Sequence, residues 1–120
     1  MGQPDIYCRV ESPLTEIGDG SITLTVPYTW LSHCFAAVRF YKADGTKSTP
    51  VSGGTLVFTV ETTNIPGEYM AITGGSVVLT GGNAVVNWNA NTQSVKVTGL
   101  GGVSADAVTH AKLIVSCNAG

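Results

Sequence analysis

Charged side chains are scarce in this sequence. Asp, Glu, Lys and Arg make up 12% of its 120 residues and the net charge is −2, whereas soluble domains usually contain about 25% charged residues. A small soluble domain normally keeps more charge on its surface. The shortage indicates that other protein covers much of the surface in the working state, or that Thr, Ser and Asn cover it as in extracellular binding domains. A plain Thr-rich β-domain is the third interpretation.

Long apolar runs are also missing. No segment approaches the roughly 20 apolar residues that are needed to cross a bilayer. Met1 is followed by Gly-Gln-Pro-Asp, which lacks the basic and then apolar regions typical of a secretory signal. We therefore expect a soluble protein that is synthesised in a cytoplasm and does not contact a membrane.

Cysteine is rare and lacks paired spacing. Cys8, Cys34 and Cys117 are an odd number, and no two of them form a Cys-x-x-Cys motif. Secreted disulfide scaffolds usually contain an even, denser set of cysteines. The pattern predicts three reduced thiols, although one intramolecular disulfide stays possible.

Catalytic and metal-binding patterns are lacking as well. His33 and Cys34 are adjacent, and neighbouring residues of an extended chain point to opposite faces, so a nucleophile–base pair would need the distant His110 instead. Together with Cys8 and Cys117, these residues lie on separate elements without metal-ligand spacing. We expect no enzyme activity, no cofactor and no metal.

Nucleic-acid and phosphate binding are disfavoured. The six basic residues are dispersed and the isoelectric point is near 5.5, whereas phosphate affinity depends on clustered Lys and Arg. No helix and no Lys-Ser or Lys-Thr follows the Gly-Gly pairs, so we interpret these pairs as turns. The pairs are Gly53-Gly54, Gly74-Gly75, Gly81-Gly82 and Gly101-Gly102.

What the sequence does contain is period-two alternation from end to end. This pattern predicts an all-β fold, an antiparallel β-sandwich of the jelly-roll or Greek-key type with eight or nine short strands in one domain over residues 1–120. Parallel strands are disfavoured because there is no room for crossover helices. The expected strands are Ile6–Val10, Ile22–Val26, Phe35–Tyr41, Leu56–Val60, Tyr69–Ile72, Val77–Leu79, Ala84–Trp88, Val95–Val97 and Ala111–Ser116.

Three local features refine this prediction. Phe35–Tyr41 is apolar on both faces apart from Arg39, which predicts a central strand covered on each side. Asp44-Gly45 predicts a tight reversal after it, and residues 104–109 are expected to form one helical turn. Inward alternation predicts a core that contains Phe58, Val86, Trp88 and Leu113.

Two segments are candidate protein interfaces. Tyr28, Trp30 and Leu31 lie between two expected strands, where turns are normally polar, and aromatic residues in such places often anchor interfaces. The alternative is that Trp30 folds back and plugs the end of the sandwich. Residues 1–20 could form an arm that pairs with a neighbour, with Ile6 and Tyr7 at that interface, or an ordinary first strand with a loose lead-in.

Several stretches resemble the small β-sandwich virion proteins of tailed bacteriophages, above all the capsid decoration or cement proteins. The resemblance covers residues 36–120 and is carried by AVRFYKADGT, VSGGTLVFTVETT, AVVNWNANTQSVKVTGLGG and THAKLIVSCNAG. The resemblance lies in the general style of the sequence and in the order of its strands. It identifies no site residue in this chain. It implies a domain without an active site or cofactor that sits on a capsid and fastens neighbouring capsid proteins, often as a dimer or trimer.

The expected function is therefore a non-enzymatic virion protein on the capsid surface that decorates or cements a bacteriophage capsid by binding the major capsid protein. The expected oligomer is a homodimer or homotrimer. The alternatives are a tail-fibre or receptor-binding domain and a carbohydrate-binding module, for which Tyr28, Trp30 and Tyr69 are the candidate aromatic residues.

Overall fold

Nine strands and two short 3-10 turns make up the regular structure in the computed structural model, which describes residues 7–27, 31–48, 52–82, 84–103 and 108–118. None of the helical segments in these ranges is long and apolar enough to cross a membrane. The strands are β1 (Tyr7–Glu11), β2 (Thr15–Glu16), β3 (Ser21–Thr25), β4 (His33–Tyr41), β5 (Ser52–Thr62), β6 (Tyr69–Thr80), β7 (Ala84–Asn89), β8 (Thr92–Thr98) and β9 (His110–Asn118).

The strands form two antiparallel sheets that pack as a sandwich. The five-stranded sheet has the order β1-β9-β4-β7, and β2 continues beyond β1 along the same edge of β9. The four-stranded sheet has the order β3-β8-β5-β6. The predicted all-β class and antiparallel pairing are confirmed. Strand β4 is central, as predicted, because it pairs with β7 on one side and β9 on the other. The expected cover on both of its faces is wrong at Phe35, which is 41% exposed on the outer face.

The core lies between the two sheets and is filled by inward-facing alternate residues. Phe58 and Leu113 have no exposed surface and Val86 is buried, which confirms three of the four predicted core residues. Trp88 is only partly buried and packs against the edge of this core, because β7 is the outer strand of its sheet. Ring burial at Trp88 is therefore smaller than predicted.

One predicted turn is a bulge. Gly74-Gly75 does not separate two strands, because β6 continues through it. Val57 pairs with Ser76 and Thr59 pairs with Ala71, so four residues of β6 lie opposite one residue of β5. A Cβ atom on Gly75 would lie 2.8 Å from the Ile72 carbonyl oxygen and 2.9 Å from that of Phe58, so only glycine fits. Bulges of this kind interrupt an exposed edge and hinder pairing with other chains.

The other predicted turns have mixed outcomes. Gly53-Gly54 is also inside a strand, β5, whereas Gly81-Gly82 is a turn between β6 and β7 and Gly101-Gly102 belongs to the 3-10 turn Leu100–Gly102. The predicted helical turn falls mostly on residues 104–107, which lie outside the described residues. Val108 and Thr109, which follow, are not helical.

The reversal at Asp44-Gly45 is confirmed. Gly45 has a φ of 86°, and the Thr46 amide donates to Asp44 Oδ1 over 2.8 Å. Hydrogen bonds from Thr46 hold the pKa of Asp44 below its usual value. The turn returns the chain along the end of β4, where Lys47 bridges to Tyr41.

Gly99 is a site where the fold tolerates no side chain. Its φ is 92°, and a Cβ atom would overlap the carbonyl oxygen of Thr55 on β5. We predict that Gly99→Ala destabilises the chain by more than the roughly 1–2 kcal/mol of left-handed strain alone. Gly20→Ala is the matched control, since Gly20 has a φ of 84° but open space around it. Urea unfolding of both variants checks this, and equal losses of stability would contradict it.

Candidate binding surface

The predicted interface residues fall in different environments. Leu31 has no exposed surface and belongs to the core, so the expectation that it adds apolar surface to a loop is wrong. The physical reason is local: the Ser32 amide donates to the Asn118 carbonyl over 3.2 Å, so the chain is already held to the sheet and Leu31 packs between the layers. Tyr7 begins β1. Ile6, Tyr28 and Trp30 lie outside the described residues, and their interface role stays a prediction.

The two candidate segments are nevertheless attached at the same place. Tyr7 is paired with Asn118 across β1 and β9, and His33 is paired with Asn118 across β4 and β9. The chain before Tyr7 and the chain before Ser32 therefore join one end of the five-stranded sheet. We call this end the Asn118 end.

The outer face of the five-stranded sheet contains a band of apolar side chains. Cross-strand register places Ile114, Ala37 and Val85 side by side on β9, β4 and β7, with Phe35 two residues from Ala37 on β4. Val85 is 47% exposed and Phe35 is 41% exposed, whereas Ala37 and Ile114 are buried although they face away from the core. We call these four residues the apolar band.

The same register places two cations directly opposite each other. Arg39 on β4 is paired with Lys112 on β9, one outward row beyond the apolar band. The next outward row holds Tyr41 and His110, and Lys112 Nζ lies 5.4 Å from the centre of the Tyr41 ring. We call Arg39 and Lys112 the cationic pair.

Neither member of the cationic pair forms an ion pair with a carboxylate in the described part of the chain, although Glu11 and Glu16 lie diagonally beside Lys112 across β9. The ion pair found there joins Arg9 NH2 and Glu11 Oε1 over 3.9 Å, between two exposed side chains of β1. Like charges on directly opposite residues of a sheet repel each other and reduce stability. The cationic pair is therefore a local electrostatic conflict within the free protein.

The outer face of the four-stranded sheet is different in character. Tyr69, Ser94 and Glu61 form a chain of hydrogen bonds there, 2.7 Å between the two hydroxyl oxygens and 2.9 Å from Ser94 Oγ to Glu61 Oε1. Lys96 lies over the Tyr69 ring at 5.6 Å. Val78 is 64% exposed on edge strand β6. This face is rich in threonine, and three of its polar side chains are bonded to one another.

A cleft of about 330 Å³ separates the two sheet edges β6 and β7. It is lined on one side by Met70 and Ile72 and on the other by Trp88, and none of its lining residues is charged. Trp88 Nε1 donates to Thr92 Oγ1 over 2.7 Å, so the polar edge of the indole is already engaged. The cleft therefore offers mainly apolar and neutral contacts.

The three cysteines stand in one row on the inner face of the five-stranded sheet. Cys8 and Cys34 are both paired with Cys117, on its two sides, and all three thiols are buried and free. The hydrogen bond between Cys117 and Cys34 holds the pKa of the Cys34 thiol below its usual value and raises that of Cys117. His33 is exposed on the opposite face, so the two neighbours do point apart as predicted.

The free thiols generate a direct test. We predict that N-ethylmaleimide reacts slowly with the native chain, because all three thiols are buried, and labels Cys8, Cys34 and Cys117 completely after unfolding in urea without reductant. Intact-mass spectrometry counts the labels, and a sample reduced before unfolding is the control. Protection of two cysteines in the unreduced sample alone would show a disulfide, which the register allows at Cys34–Cys117 or Cys8–Cys117.

Comparison with known proteins places the chain in a family. Residues 7–120 match the profile of the family described as "Domain of unknown function (DUF7265)", and the chain belongs to that family. A search of curated protein sequences finds no match.

Similarity to solved structures concerns the fold. The crystal structure of the SPBc2 prophage-derived protein YomS is similar with a TM-score of 0.57 and 12% identity, over 97% of each chain. A disulfide-linked pilus of Bacillus endospore appendages matches with a TM-score of 0.40 and 5% identity, over 98% of this chain and 93% of the other. A family 35 carbohydrate-binding module from Clostridium thermocellum has a TM-score of 0.33 and 16% identity, over 92% and 90%. The first likeness shows a shared fold.

Proposed function

We propose that this chain is a non-enzymatic structural protein of a bacteriophage particle, which decorates or cements the capsid by binding the major capsid protein. The observation that carries the proposal is the apolar band on the outer face of the five-stranded sheet. Phe35 and Val85 are both more than two-fifths exposed there, in a chain whose surface is poor in charge. Contiguous apolar patches on small soluble proteins commonly mark protein contacts.

Two further observations support this proposal. The shared fold with a prophage-derived protein fits a phage origin. The segments before Tyr7 and before Ser32 both join the Asn118 end of the same sheet, so an interface on the outer face could extend onto them. Ile6, Tyr7, Tyr28 and Trp30 are proposed to contribute there, and the working unit is proposed to be a homodimer or homotrimer on the capsid surface.

A tail-fibre or receptor-binding role is the alternative for the same surface, and a carbohydrate-binding role is the alternative for the cleft. The neutral lining of the β6–β7 cleft beside Trp88 favours a neutral ligand over a charged one. Sugar sites usually present an aromatic ring and free polar groups together. Because the Trp88 Nε1 group is already bonded to Thr92, we rank this role second.

Substitution on the two outer faces tests the proposal. We predict that Phe35→Ser combined with Val85→Ser reduces the occupancy of this chain on purified particles by about tenfold or more, as loss of central interface residues commonly does. Val78→Ser, on the outer edge strand of the other sheet, should leave occupancy unchanged. Circular dichroism and thermal unfolding first establish that each variant is folded.

Copy number separates capsid from fibre. Quantitative mass spectrometry of particles should find this chain in a fixed ratio to the major capsid protein. A few copies per particle would favour the fibre alternative, and full occupancy by the Phe35 and Val85 double variant would exclude the apolar band as the attachment surface.

A further inference from the structure

The basic residues of this chain are gathered on one side of the sandwich. Of its six Lys and Arg residues, Arg9, Arg39 and Lys112 lie on the strands of the five-stranded sheet, and Lys42 and Lys47 belong to the reversal at the end of β4. Lys96, on the other sheet, is the exception. The basic residues are therefore unevenly distributed between the two sheets, although Glu11, Glu16 and Asp44 lie on the same side.

Arg39 lies in the sheet without a neighbouring carboxylate. Its paired neighbour is another cation, Lys112, and the outward residues two positions away along β4 are Ala37 and Tyr41. The carboxylates nearest in register, on Glu11 and Glu16, pair with β9 on its far side from Arg39. No described residue of the sheet therefore places a carboxylate next to Arg39.

Repulsion between Arg39 and Lys112 would be relieved by an anionic group placed between them. The apolar band adjoins the cationic pair in the very next outward row. Ala37 and Ile114 are already buried, so the apolar surface open to a partner is Val85, in the row next to Arg39, and Phe35 one row beyond it. Since an anion alone gains nothing from these side chains, the chemistry that fits the surface is a carboxylate beside apolar side chains. Charge complementarity of this kind selects partners and speeds their association.

We propose that the cationic pair and the apolar band form one docking surface for an acidic protein segment, in which carboxylates alternate with or flank apolar residues. This inference rests on the proposed function only in that the partner is a protein. A second copy presenting the same face is disfavoured as the occupant, because β4, β7 and β9 contain no carboxylate that could be placed against the cationic pair.

A defined peptide tests the surface without any phage particle. The probe is a blocked five-residue peptide of alternating glutamate and valine, titrated into the full ¹⁵N-labelled chain. Backbone amide shifts are expected at Arg39, Lys112, Ala37 and Ile114, and not at Lys96. The matched lysine–valine peptide should produce no such shifts. Absence of shifts with the acidic peptide, or shifts centred on Lys96, would overturn the proposal.

Charge removal gives the second readout. Arg39→Gln and Lys112→Gln should each weaken binding of the acidic peptide by roughly two- to fivefold, as expected for exposed ion pairs, and should flatten its salt dependence. Lys96→Gln is the matched control and should change neither quantity. If a single-stranded oligonucleotide shifts the same amides and the acidic peptide does not, the surface binds nucleic acid and the proposal is wrong.

Charge reversal tests the conflict within the free protein. Arg39→Glu places a carboxylate opposite Lys112 and away from Glu11 and Glu16. It should therefore raise the melting temperature by about 2–5 °C while it abolishes the peptide-induced shifts. Lys96→Glu, whose paired neighbours Thr23 and Thr59 are neutral, should give no comparable rise. A melting temperature of Arg39→Glu that is unchanged or lower would show that the cationic pair is not repulsive and would overturn the proposal.

The outcomes also separate this inference from the proposed function. Peptide binding at the cationic pair without any attachment to particles would mean that only the phage role is wrong. Attachment through Phe35 and Val85 that is insensitive to Arg39→Gln and Lys112→Gln would mean that only the acidic partner is wrong.

Discussion

The pairing of β9 with β4 determines what both faces of the five-stranded sheet present. Nine consecutive residue pairs, from His33 with Asn118 to Tyr41 with His110, are in register. Side chains alternate between faces with a period of two, so a shift of one residue would exchange the faces completely. The same register therefore buries the cysteine row, aligns the apolar band and brings Arg39 opposite Lys112.

The inner and outer faces of this sheet affect the stability of the free chain in opposite directions. The inward residues of β4 and β9 are buried, Val38 and Leu113 fully, and stabilise the fold through the core. On the outer face, Arg39 lies opposite Lys112, and the side chains of Phe35 and Val85 are exposed to solvent. An arrangement that reduces the stability of the free chain and suits a contact with another protein is typical of an interaction surface.

Alternation in the sequence was sufficient to predict the strands and most of the core, because one face of each sheet is buried and the period of two is then visible. The apolar band is not visible in the sequence, because apolar residues on both faces of Phe35–Tyr41 indicate a strand covered on each side and a local pattern does not give the register between distant strands. The continuity of β6 was missed because a bulge at Gly74-Gly75 has the same composition as a turn. Leu31 was misplaced because a loop residue packed between two sheets has no periodic signal.

The central claim is that the outer face of the five-stranded sheet is the contact surface. Phe35 and Tyr69 are aromatic residues of nearly equal exposure, 41% and 40%, on the outer faces of the two different sheets. Hydroxyl-radical footprinting of the free chain and of the chain on assembled particles compares them directly. We predict that assembly protects Phe35 from oxidation and leaves Tyr69 reactive. Protection of Tyr69 with Phe35 still reactive would contradict the account.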